Sequence, residues 1–402
     1  MKSYCKISIL IFSFLVLFLT GNHIYSQPKY DYTGRSLNTI TTAVPFLIIS
    51  PDARAGGMGD GGVASTPDAN SLHWNPAKYA FIQKDMGFSV SYSPWLRALV
   101  NDINLAYLTG YKKFGKDQAI AASLLYFSLG NITFTDIIGT KIGDYKPNEF
   151  AVDACYSRKF SDVFSGAVSL RYIHSNLTGG TFVGGAESHP GNSVAADVSV
   201  FYQKKFNLGK KLPATLGIGV NISNIGAKIS YTETTQRDFI PTNLRFGPSL
   251  KVDLDDYNSL EFMFDINKLL VPTPPVYSTD STGTHIIAGK DPNVGIVTGM
   301  LQSFTDAPGG FPEEMKEFNI ATGVEYWYDK QFAIRGGFFY EDPTKGNRKY
   351  FTVGAGLKYN VFGLDFAYLV PLEQHNPLAN TLRFTLVFDF DAFKAQNKTN
   401  EK

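Results

Sequence analysis

The feature that most constrains the fold of this 402-residue chain is a regular alternation of apolar and polar residues over long segments. In the segment 381–390, Leu, Phe, Leu, Phe and Phe at the even positions alternate with Thr, Arg, Thr, Val and Asp at the odd positions. Side chains of a β-strand point to its two faces in turn, so such a segment predicts a strand with one apolar face and one polar face. The pattern fits either a soluble sandwich with its apolar faces inward or a barrel with its apolar faces in lipid.

The number and the aromatic content of these segments distinguish between the two folds. About fourteen segments can be counted, and the chain contains 32 Phe and 22 Tyr. An even number of long strands with aromatic outward faces is typical of an outer-membrane barrel. The sequence therefore predicts an all-β fold, a transmembrane outer-membrane β-barrel of about fourteen antiparallel strands. The predicted strands begin near Gly87, Asn101, Gln118, Asn148, Val163, Ser193, Pro213, Thr242, Ser259, Glu317, Gln331, Lys349, Val361 and Asn380.

The connections between the predicted strands alternate in length. Short turns, such as 158–162 and 253–258, alternate with long loops, the longest of which is 268–316. Outer-membrane barrels place short turns at the periplasm and long loops at the cell surface. Five short turns carry aromatic residues at both ends, usually with a cation between them, which predicts an aromatic girdle at one rim. These turns lie at 111–114, 156–160, 202–206, 328–332 and 359–362.

The N-terminus has the form of an export signal. Lys2 and Lys6 precede an apolar run over residues 7–19, which is too short to span a membrane. We expect cleavage between Ser26 and Gln27, which predicts a signal peptide over 1–26 and an outer-membrane location. Cys155 would then be the only cysteine of the exported chain, so no internal disulfide is expected. A polar C-terminal tail over 391–402 follows the last predicted strand.

Residues 27–85 do not alternate, and they precede the first predicted strand. Their glycines permit close backbone packing, so we expect them to form an N-terminal plug inside the barrel, which itself would cover residues 86–390. Gly57, Gly59 and Gly62 fit the spacing of a dinucleotide fingerprint, but no strand–helix–strand unit follows, and we expect no cofactor. The plug motif comprises Pro51, Asp52, Arg54, Gly56, Gly57, Gly59, Gly62, Asp68, Asn70, Asn75 and Pro76.

Charge patterning limits the classes of function. Lys and Arg total 37 against 36 Asp and Glu, which excludes a generally basic nucleic-acid binder. The histidines have no metal-ligand spacing and no Ser-His-Asp order is visible, so we expect neither a metal site nor a catalytic site. Charges predicted on inward faces would either pair with one another in a solvated lumen or hydrogen-bond the plug. They are Asp153, Arg171, Asp197, Glu261, Glu325, Arg335, Asp365 and Arg383.

The loop 268–316 contains an apolar pattern of its own. Asp291 and Pro292 are suited to begin a helix, and apolar residues follow at helical spacing. An apolar stripe in a surface loop needs a cover. Either the loop folds onto its own barrel mouth, or the stripe docks a partner protein. The candidate docking residues are Pro292, Val294, Val297, Leu301 and Phe304.

The plug motif also carries a resemblance. The string 51–64, followed by 68–71 and by Asn75-Pro76-Ala77, resembles the PorV family of the Bacteroidetes type IX secretion system. The Asn-Pro-Ala element is similar to FadL-type transporters, and the resemblance, which extends over the mature chain, implies a FadL-like barrel.

The resemblance implies a protein that is not an enzyme. It would bind secreted cargo by its C-terminal signal domain at the translocon and shuttle it to a cell-surface attachment complex that removes the signal. The implied partners are a SprA/Sov-like translocon barrel, the cargo proteins, a PorU-like signal peptidase and outer-membrane lipid or lipopolysaccharide, with no nucleic acid.

Two other functions stay open at the level of sequence. A FadL-type channel for hydrophobic small molecules would need an apolar pocket inside the barrel and a gap in its wall. A lipid A deacylase, an activity attached to relatives of the family, would need a nucleophile or an activated water near His174, His189, His285 or His375.

Overall fold

The computed structural model describes residues 37–390 except 98, 136–137, 181, 184–185, 210–211, 233–236, 279–284 and 374–375. The predicted signal peptide with Ser26 and Gln27, the first residues of the predicted plug and the polar tail lie outside the described residues. No helix among the described residues is long and apolar enough to cross a membrane.

Fourteen antiparallel strands close into one barrel, in which the first strand pairs with the last. Their order around the barrel is β1-β2-β3-β6-β7-β10-β11-β12-β13-β16-β17-β18-β19-β20. Their bounds are β1 Met86–Pro94, β2 Asn104–Phe114, β3 Gln118–Ser128, β6 Asn148–Ser161, β7 Phe164–Asn176, β10 Gly191–Leu208, β11 Leu212–Gly226, β12 Asn243–Asp253, β13 Asn258–Leu269, β16 Asn319–Tyr328, β17 Phe332–Tyr340, β18 Lys349–Tyr359, β19 Phe362–Pro371 and β20 Leu382–Asp389.

The remaining elements are short. Three two-stranded hairpins lie in the long loops: β4 Ile132–Thr135 with β5 Lys141–Tyr145, β8 Phe182–Val183 with β9 Ala186–Glu187, and β14 Val276–Tyr277 with β15 Ile286–Ala288. Ahead of the barrel lie two 3-10 helices, η1 Pro45–Ile48 and η2 Pro76–Phe81, and two helical turns, α1 Ala53–Gly56 and α2 Ser71–Trp74. The longest loop carries α3 Ile296–Gln302 and α4 Phe311–Met315.

The predicted strand pattern is confirmed. Each predicted strand begins within three residues of an observed one, because a residue's face in a strand follows from its position alone. The alternating apolar residues point outward, and the polar residues between them are buried inside. The outward apolar wall includes Val90, Leu108, Ile120, Val152, Val168, Val198, Ile218, Phe262, Ile334, Val353, Leu364 and Phe384.

The aromatic girdle lies at the rim of the short turns. Phe114, Phe160, Tyr328 and Tyr359 are among its exposed members. Tyr111 differs from its counterparts, because it faces the lumen, where it is 6% exposed and its ring lies 5.3 Å from that of Tyr79.

Candidate functional site: the filled lumen and the outer mouth

Residues 38–82, here called the inner segment, run through the barrel from one rim to the other. At the rim of the long loops, the backbone N–H of Asn38 donates to the carbonyl of Thr344 at 3.1 Å. At the rim of the short turns, Lys113 on β2 donates to the carbonyl of Ile82 at 2.8 Å. Most residues between these ends are buried. The inner segment therefore occupies the lumen along its length.

Arg54 connects the inner segment to the barrel wall. Its guanidinium donates to both carboxylate oxygens of Glu325, at 2.9 and 2.8 Å, and to Glu261 at 3.3 Å. The other side of the guanidinium donates to Asp68 at 2.8 Å and to the Thr66 carbonyl at 2.8 Å. Arg54 thus holds two wall carboxylates and one carboxylate of its own segment.

Two wall residues extend this network around the barrel. Arg335 on β17 donates to Glu325 at 2.7 Å and to Asp365 on β19 at 2.7 Å. These wall charges are 5% exposed or less. A chain of alternating charges therefore connects β13, β16, β17 and β19 with the inner segment.

Asp60 makes a second connection on the other side of the glycine-rich string. Its carboxylate accepts hydrogen bonds from the guanidinium of Arg383 on β20 and, at 2.6 Å, from the hydroxyl of Tyr350 on β18. Its backbone has a positive φ of 60° directly after Gly59 at 74°. This left-handed turn aims the carboxylate at the wall.

The side chain of Asp265 on β13 binds backbone N–H groups of the inner segment. One of its carboxylate oxygens accepts from the N–H groups of Gly62 and Val63, at 2.6 and 2.8 Å. Lys78 binds the same turn from within the segment, donating to the Gly62 carbonyl at 2.7 Å. The turn at Gly62 is therefore held from both sides.

The Asn-Pro-Ala element fixes the end of the inner segment. The Asn75 side chain accepts from the Ala77 N–H at 3.0 Å and donates to the carbonyls of Val63 and Val200, each at 3.0 Å. Pro76 occupies the first turn of η2, where a missing N–H costs nothing. The Ala77 carbonyl accepts from Ser165 on β7 at 2.7 Å. Asn75 and Ala77 thus bind the wall by hydrogen bonds, and Pro76 begins the 3-10 helix at the end of the inner segment.

Glycines on the wall let the inner segment approach the strands closely. An added Cβ at Gly337 on β17 would lie 2.1 Å from the backbone nitrogen of Gly59, and at Gly219 on β11 it would lie 2.2 Å from the Val63 carbonyl oxygen. Gly323 and Gly354 face Met58 and Gly57 in the same way. Glycines of the wall therefore lie against the glycine-rich part of the inner segment. The sequence pattern indicated the glycines of the inner segment but not those of the wall.

The other residues of the predicted plug motif also lie in the inner segment. Asp52 is the N-cap of α1, and its carboxylate accepts a hydrogen bond from the indole N–H of Trp74 at 2.7 Å. The hydroxyl of Ser89 on β1 donates a hydrogen bond to the side-chain oxygen of Asn70. Pro51 and Gly56 are buried.

The predicted inward charges divide into those that contact the inner segment and those that pair on the wall. Glu261, Glu325 and Arg383 form hydrogen bonds with the inner segment, and Arg335 joins Glu325 to Asp365 along the wall. In the second group, Arg171 donates to Asp153 and Asp197 on neighbouring strands, at 2.5 and 3.1 Å. Both arrangements expected from the sequence therefore occur in different parts of the lumen.

A buried ion cluster fixes the longest loop to the mouth of the barrel. Lys268, at the end of β13, is fully buried and donates to Glu314 at 3.3 Å and to Glu317 at 2.5 Å. Lys345 from the β17–β18 loop donates to Glu317 at 3.0 Å and to Glu313 at 2.6 Å. The loop is thereby held in one place over the outer mouth.

The predicted loop helix begins later than the sequence indicated. α3 starts at Ile296 with Gly295 as its N-cap, so the placement of Pro292 at its first position is wrong. Asp291 instead accepts from the Asn293 N–H at 2.8 Å, which closes a turn in place of a helix start. Val294 and Pro292 are half-buried.

The exposed apolar residues of this loop form what we call the outer apolar patch. α3 packs by its small side on the β11–β12 loop, where Gly299 abuts the ring of Phe239. Glu314 of α4 faces the ion cluster at Lys268, while the apolar side chains of both helices are largely exposed. The patch consists of Val297, Leu301, Phe304, Phe311 and Met315, which are 67%, 71%, 42%, 73% and 46% exposed.

Two cavities lie at the ends of the lumen. One of about 690 Å³ at the short-turn rim is lined by residues that include Phe81, Gln203, Lys205 and Lys251. One of about 380 Å³ at the outer mouth is lined by residues that include Ile40, Glu341, Lys345 and Arg348. Both linings mix apolar and charged groups.

The described histidines make separate contacts, and His285 is exposed in the longest loop. His174 contacts Asn192, and His189 contacts its neighbour Pro190, while His375 lies outside the described residues. His73 is half-buried in the inner segment, where its ring packs edge-on against the rings of Trp74 and Tyr107. In the described part of the chain, no group of His, Cys, Asp and Glu is suited to a metal ion. Cys155 is a free, buried thiol.

A closed barrel with an apolar outer wall, a polar lumen and a lumen-filling N-terminal segment defines an outer-membrane β-barrel protein. The profile of the family described as type IX secretion system protein PorV matches residues 33–276, and the chain belongs to this family. It is therefore a component of type IX secretion, associated with that machinery in the outer membrane. The match includes the whole inner segment.

Other comparisons are more distant. The search of curated proteins gave no match. Among solved structures, the chain is similar to the Pseudomonas putida toluene transporter TodX, with 11% identity, 84% of this chain and 97% of the other covered, and a TM-score of 0.46. The Ralstonia pickettii toluene transporter TbuX is 11% identical, with 86% of this chain and 98% of the other covered and a TM-score of 0.42. A Pseudomonas aeruginosa FadL homologue is 12% identical, with 88% of this chain and 99% of the other covered and a TM-score of 0.41. At these identities and TM-scores, none of the three indicates what this chain binds.

Proposed function

We propose that this barrel is a non-enzymatic cargo carrier of type IX secretion. It binds secreted proteins by their C-terminal signal domain at the translocon barrel and delivers them to the attachment complex and its signal peptidase. Membership of the PorV family supports this role. The observation that carries it is the filled lumen: with the inner segment bonded to the wall at Arg54, Asp60 and Asn75, the outer loops are the extended surface left for recognition.

In this proposal the inner segment is a permanent plug. It is held by buried charged contacts on several strands, and truncating one partner of such a contact is costly. The barrel can then stay closed to solutes while it diffuses in the membrane, since a closed barrel has no free strand edge. Residues 1–26 serve as the export signal, and N-terminal sequencing of the mature protein should begin at Gln27.

The outer apolar patch is the proposed docking site for a protein partner, either the translocon barrel or cargo. Apolar side chains as exposed as those of Val297 and Leu301 are stabilised when a partner covers them. The ion cluster at Lys268 fixes the loop in advance, which lowers the entropy cost of binding.

The double substitution Val297→Ser with Leu301→Ser should weaken capture of the translocon and of cargo by about tenfold or more, the effect of losing a central apolar anchor. Affinity purification of the tagged barrel from cells, followed by quantitative mass spectrometry, measures this. The matched control is Leu99→Ser with Val100→Ser, which removes exposed apolar groups from the β1–β2 loop. Equal losses in both variants, or undiminished capture in the first, would contradict the docking assignment.

Deleting the gene tests the carrier role itself. Proteins with C-terminal signal domains should disappear from the cell surface and the culture fluid, appear there uncleaved, or accumulate in the periplasm. Normal secretion together with impaired uptake of a hydrophobic nutrient would instead identify a channel of the FadL type and overturn the proposal.

A further inference from the structure

A three-residue repeat recurs at the short-turn rim and is not explained by the carrier role. Lys112-Lys113-Phe114 ends β2, Arg158-Lys159-Phe160 lies near the end of β6, and Lys204-Lys205-Phe206 lies near the end of β10. Because side chains alternate across a strand, the first and third residues of each repeat share one face and the middle lysine lies on the other.

The middle lysines face the lumen and contact the end of the inner segment or the cavity there. Lys113 donates to the Ile82 carbonyl at 2.8 Å. The ammonium of Lys159 lies 4.8 Å from the centre of the Phe81 ring. Lys205 lines the cavity of about 690 Å³ together with Phe81 and Ile82. These three lysines are thereby assigned to the interior.

The first cation and the phenylalanine of each repeat face outward. Lys112, Arg158 and Lys204 are exposed, and the phenylalanines two residues later are 46%, 65% and 37% exposed. Aromatic rings in such a belt lie at the depth of the lipid headgroups. Two residues of a strand span about 7 Å, so each outward cation lies at or next to headgroup depth.

None of the three outward cations takes part in an ion pair among the described residues. The ammonium of Lys112 lies 5.7 Å from the centre of the Phe114 ring of its own repeat. All three lie on the wall between β2 and β10, and long basic side chains on such a wall extend toward the headgroups. Their charges therefore have no protein counter-ion at this depth in the described part of the chain.

One half of the rim has an excess of cations and the other half has not. The segments 111–117, 156–164 and 202–208 contain seven cations and two carboxylates. The corresponding segments of the other half, 251–258, 326–332 and 357–363, contain three cations and four carboxylates. The outward positions of that half are occupied by groups such as Tyr328, Phe332 and Tyr359.

We propose that Lys112, Arg158 and Lys204 form a binding strip for anionic phospholipid headgroups in the leaflet next to the short turns. A lipid headgroup fits better than an acidic protein because the cations rise from the lipid-facing wall beside interfacial aromatic rings, not from the turns alone. The strip gives this side of the barrel a fixed annulus of anionic lipid, while the opposite side has none.

The test uses the full-length barrel in detergent with equal amounts of phosphatidylglycerol and phosphatidylcholine, and native mass spectrometry measures the lipid retained. The wild type should retain phosphatidylglycerol over phosphatidylcholine by about fivefold. The triple variant Lys112→Gln, Arg158→Gln, Lys204→Gln should lose this preference. The control Lys251→Gln, Lys330→Gln, Lys358→Gln removes the same number of cations from the other half of the rim and should keep it, because Lys251 lines the lumen cavity and Lys358 lies 4.3 Å from the centre of the Trp327 ring.

Three results would overturn the proposal: no preference in the wild type, a preserved preference in the first triple variant, or an equal loss in both variants. Gel mobility before and after heating verifies that each variant is a folded barrel. If the first triple variant does not fold, the single change Lys204→Glu, near the end of the longest hairpin, should still reduce the preference, and an unchanged preference there would also refute the strip.

Discussion

Arg54→Ala is expected to lower the free energy of unfolding of the barrel with its inner segment by about 3–5 kcal/mol, the cost of breaking a buried ion pair by removing one partner. The change leaves Glu261 without a cation and takes from Glu325 the guanidinium that contacts both of its oxygens. Denaturant titration of the refolded protein measures the effect. The fluorescence of Trp74, which lies in the inner segment, shows whether this segment leaves the lumen first when Trp95 and Trp327 are replaced by Phe.

Two further variants make this result specific. Arg54→Lys should recover only part of the lost stability, because an ammonium cannot hold Glu325, Thr66 and Asp68 in the planar geometry that a guanidinium provides. Arg237→Ala removes an exposed arginine and should leave the titration unchanged. If Arg54→Ala unfolds at the same denaturant concentration as the wild type and the fluorescence of Trp74 is unchanged, the inner segment is not held by this network.

Gly337→Ala is expected to destabilise the protein by about 1–3 kcal/mol, the usual cost of overfilling a close-packed contact. The new methyl group would meet the backbone of Met58 and Gly59, which cannot rotate away as a side chain can. The same denaturant titration measures the loss, and single-channel recording in planar bilayers shows whether displacing the inner segment opens the lumen to ions.

The neighbouring Gly336 provides a matched control, since it lies on the same strand with its open side outward. A Cβ there would have its nearest neighbour at 3.8 Å, which is an ordinary contact. Gly336→Ala should therefore be neutral, or slightly stabilising by restricting the unfolded chain. Equal effects at both positions would show that the cost reflects strand glycines in general and not the contact with the inner segment.

Together, these contacts connect the fold to the proposed function. The inner segment is bonded by side chains from many strands, so the lumen contributes stability, while the loops at the outer mouth retain exposed apolar surface. A carrier needs this division, because it must recognise proteins at its rim without opening a path for solutes. The ion cluster around Lys268 belongs to the rim, where it positions the outer apolar patch.

Local pattern in the sequence accounts for the barrel and its strands. The alternation of side chains in a strand follows from position alone, so the faces of segments such as 381–390 could be read directly. The aromatic turns and the long loops follow from the same pattern. The glycine-rich string between residues 51 and 64 could likewise be recognised as a place where backbones pack closely, although not against which strands.

The contacts themselves depend on which strands the closed barrel brings together. Arg54 meets Glu261 and Glu325 across more than 200 residues of chain, and no local pattern selects these partners from the other inward carboxylates. The glycine at position 337 looks like any strand glycine until Gly59 lies against it. The start of α3 was misplaced because the Asp291 side chain closes a local turn, which competes with helix initiation at the same residues. Sequence periodicity established which face of each strand meets lipid, because that depends on local geometry, whereas the pairing of charges and glycines inside the lumen arose only from long-range closure of the barrel around its own N-terminal segment.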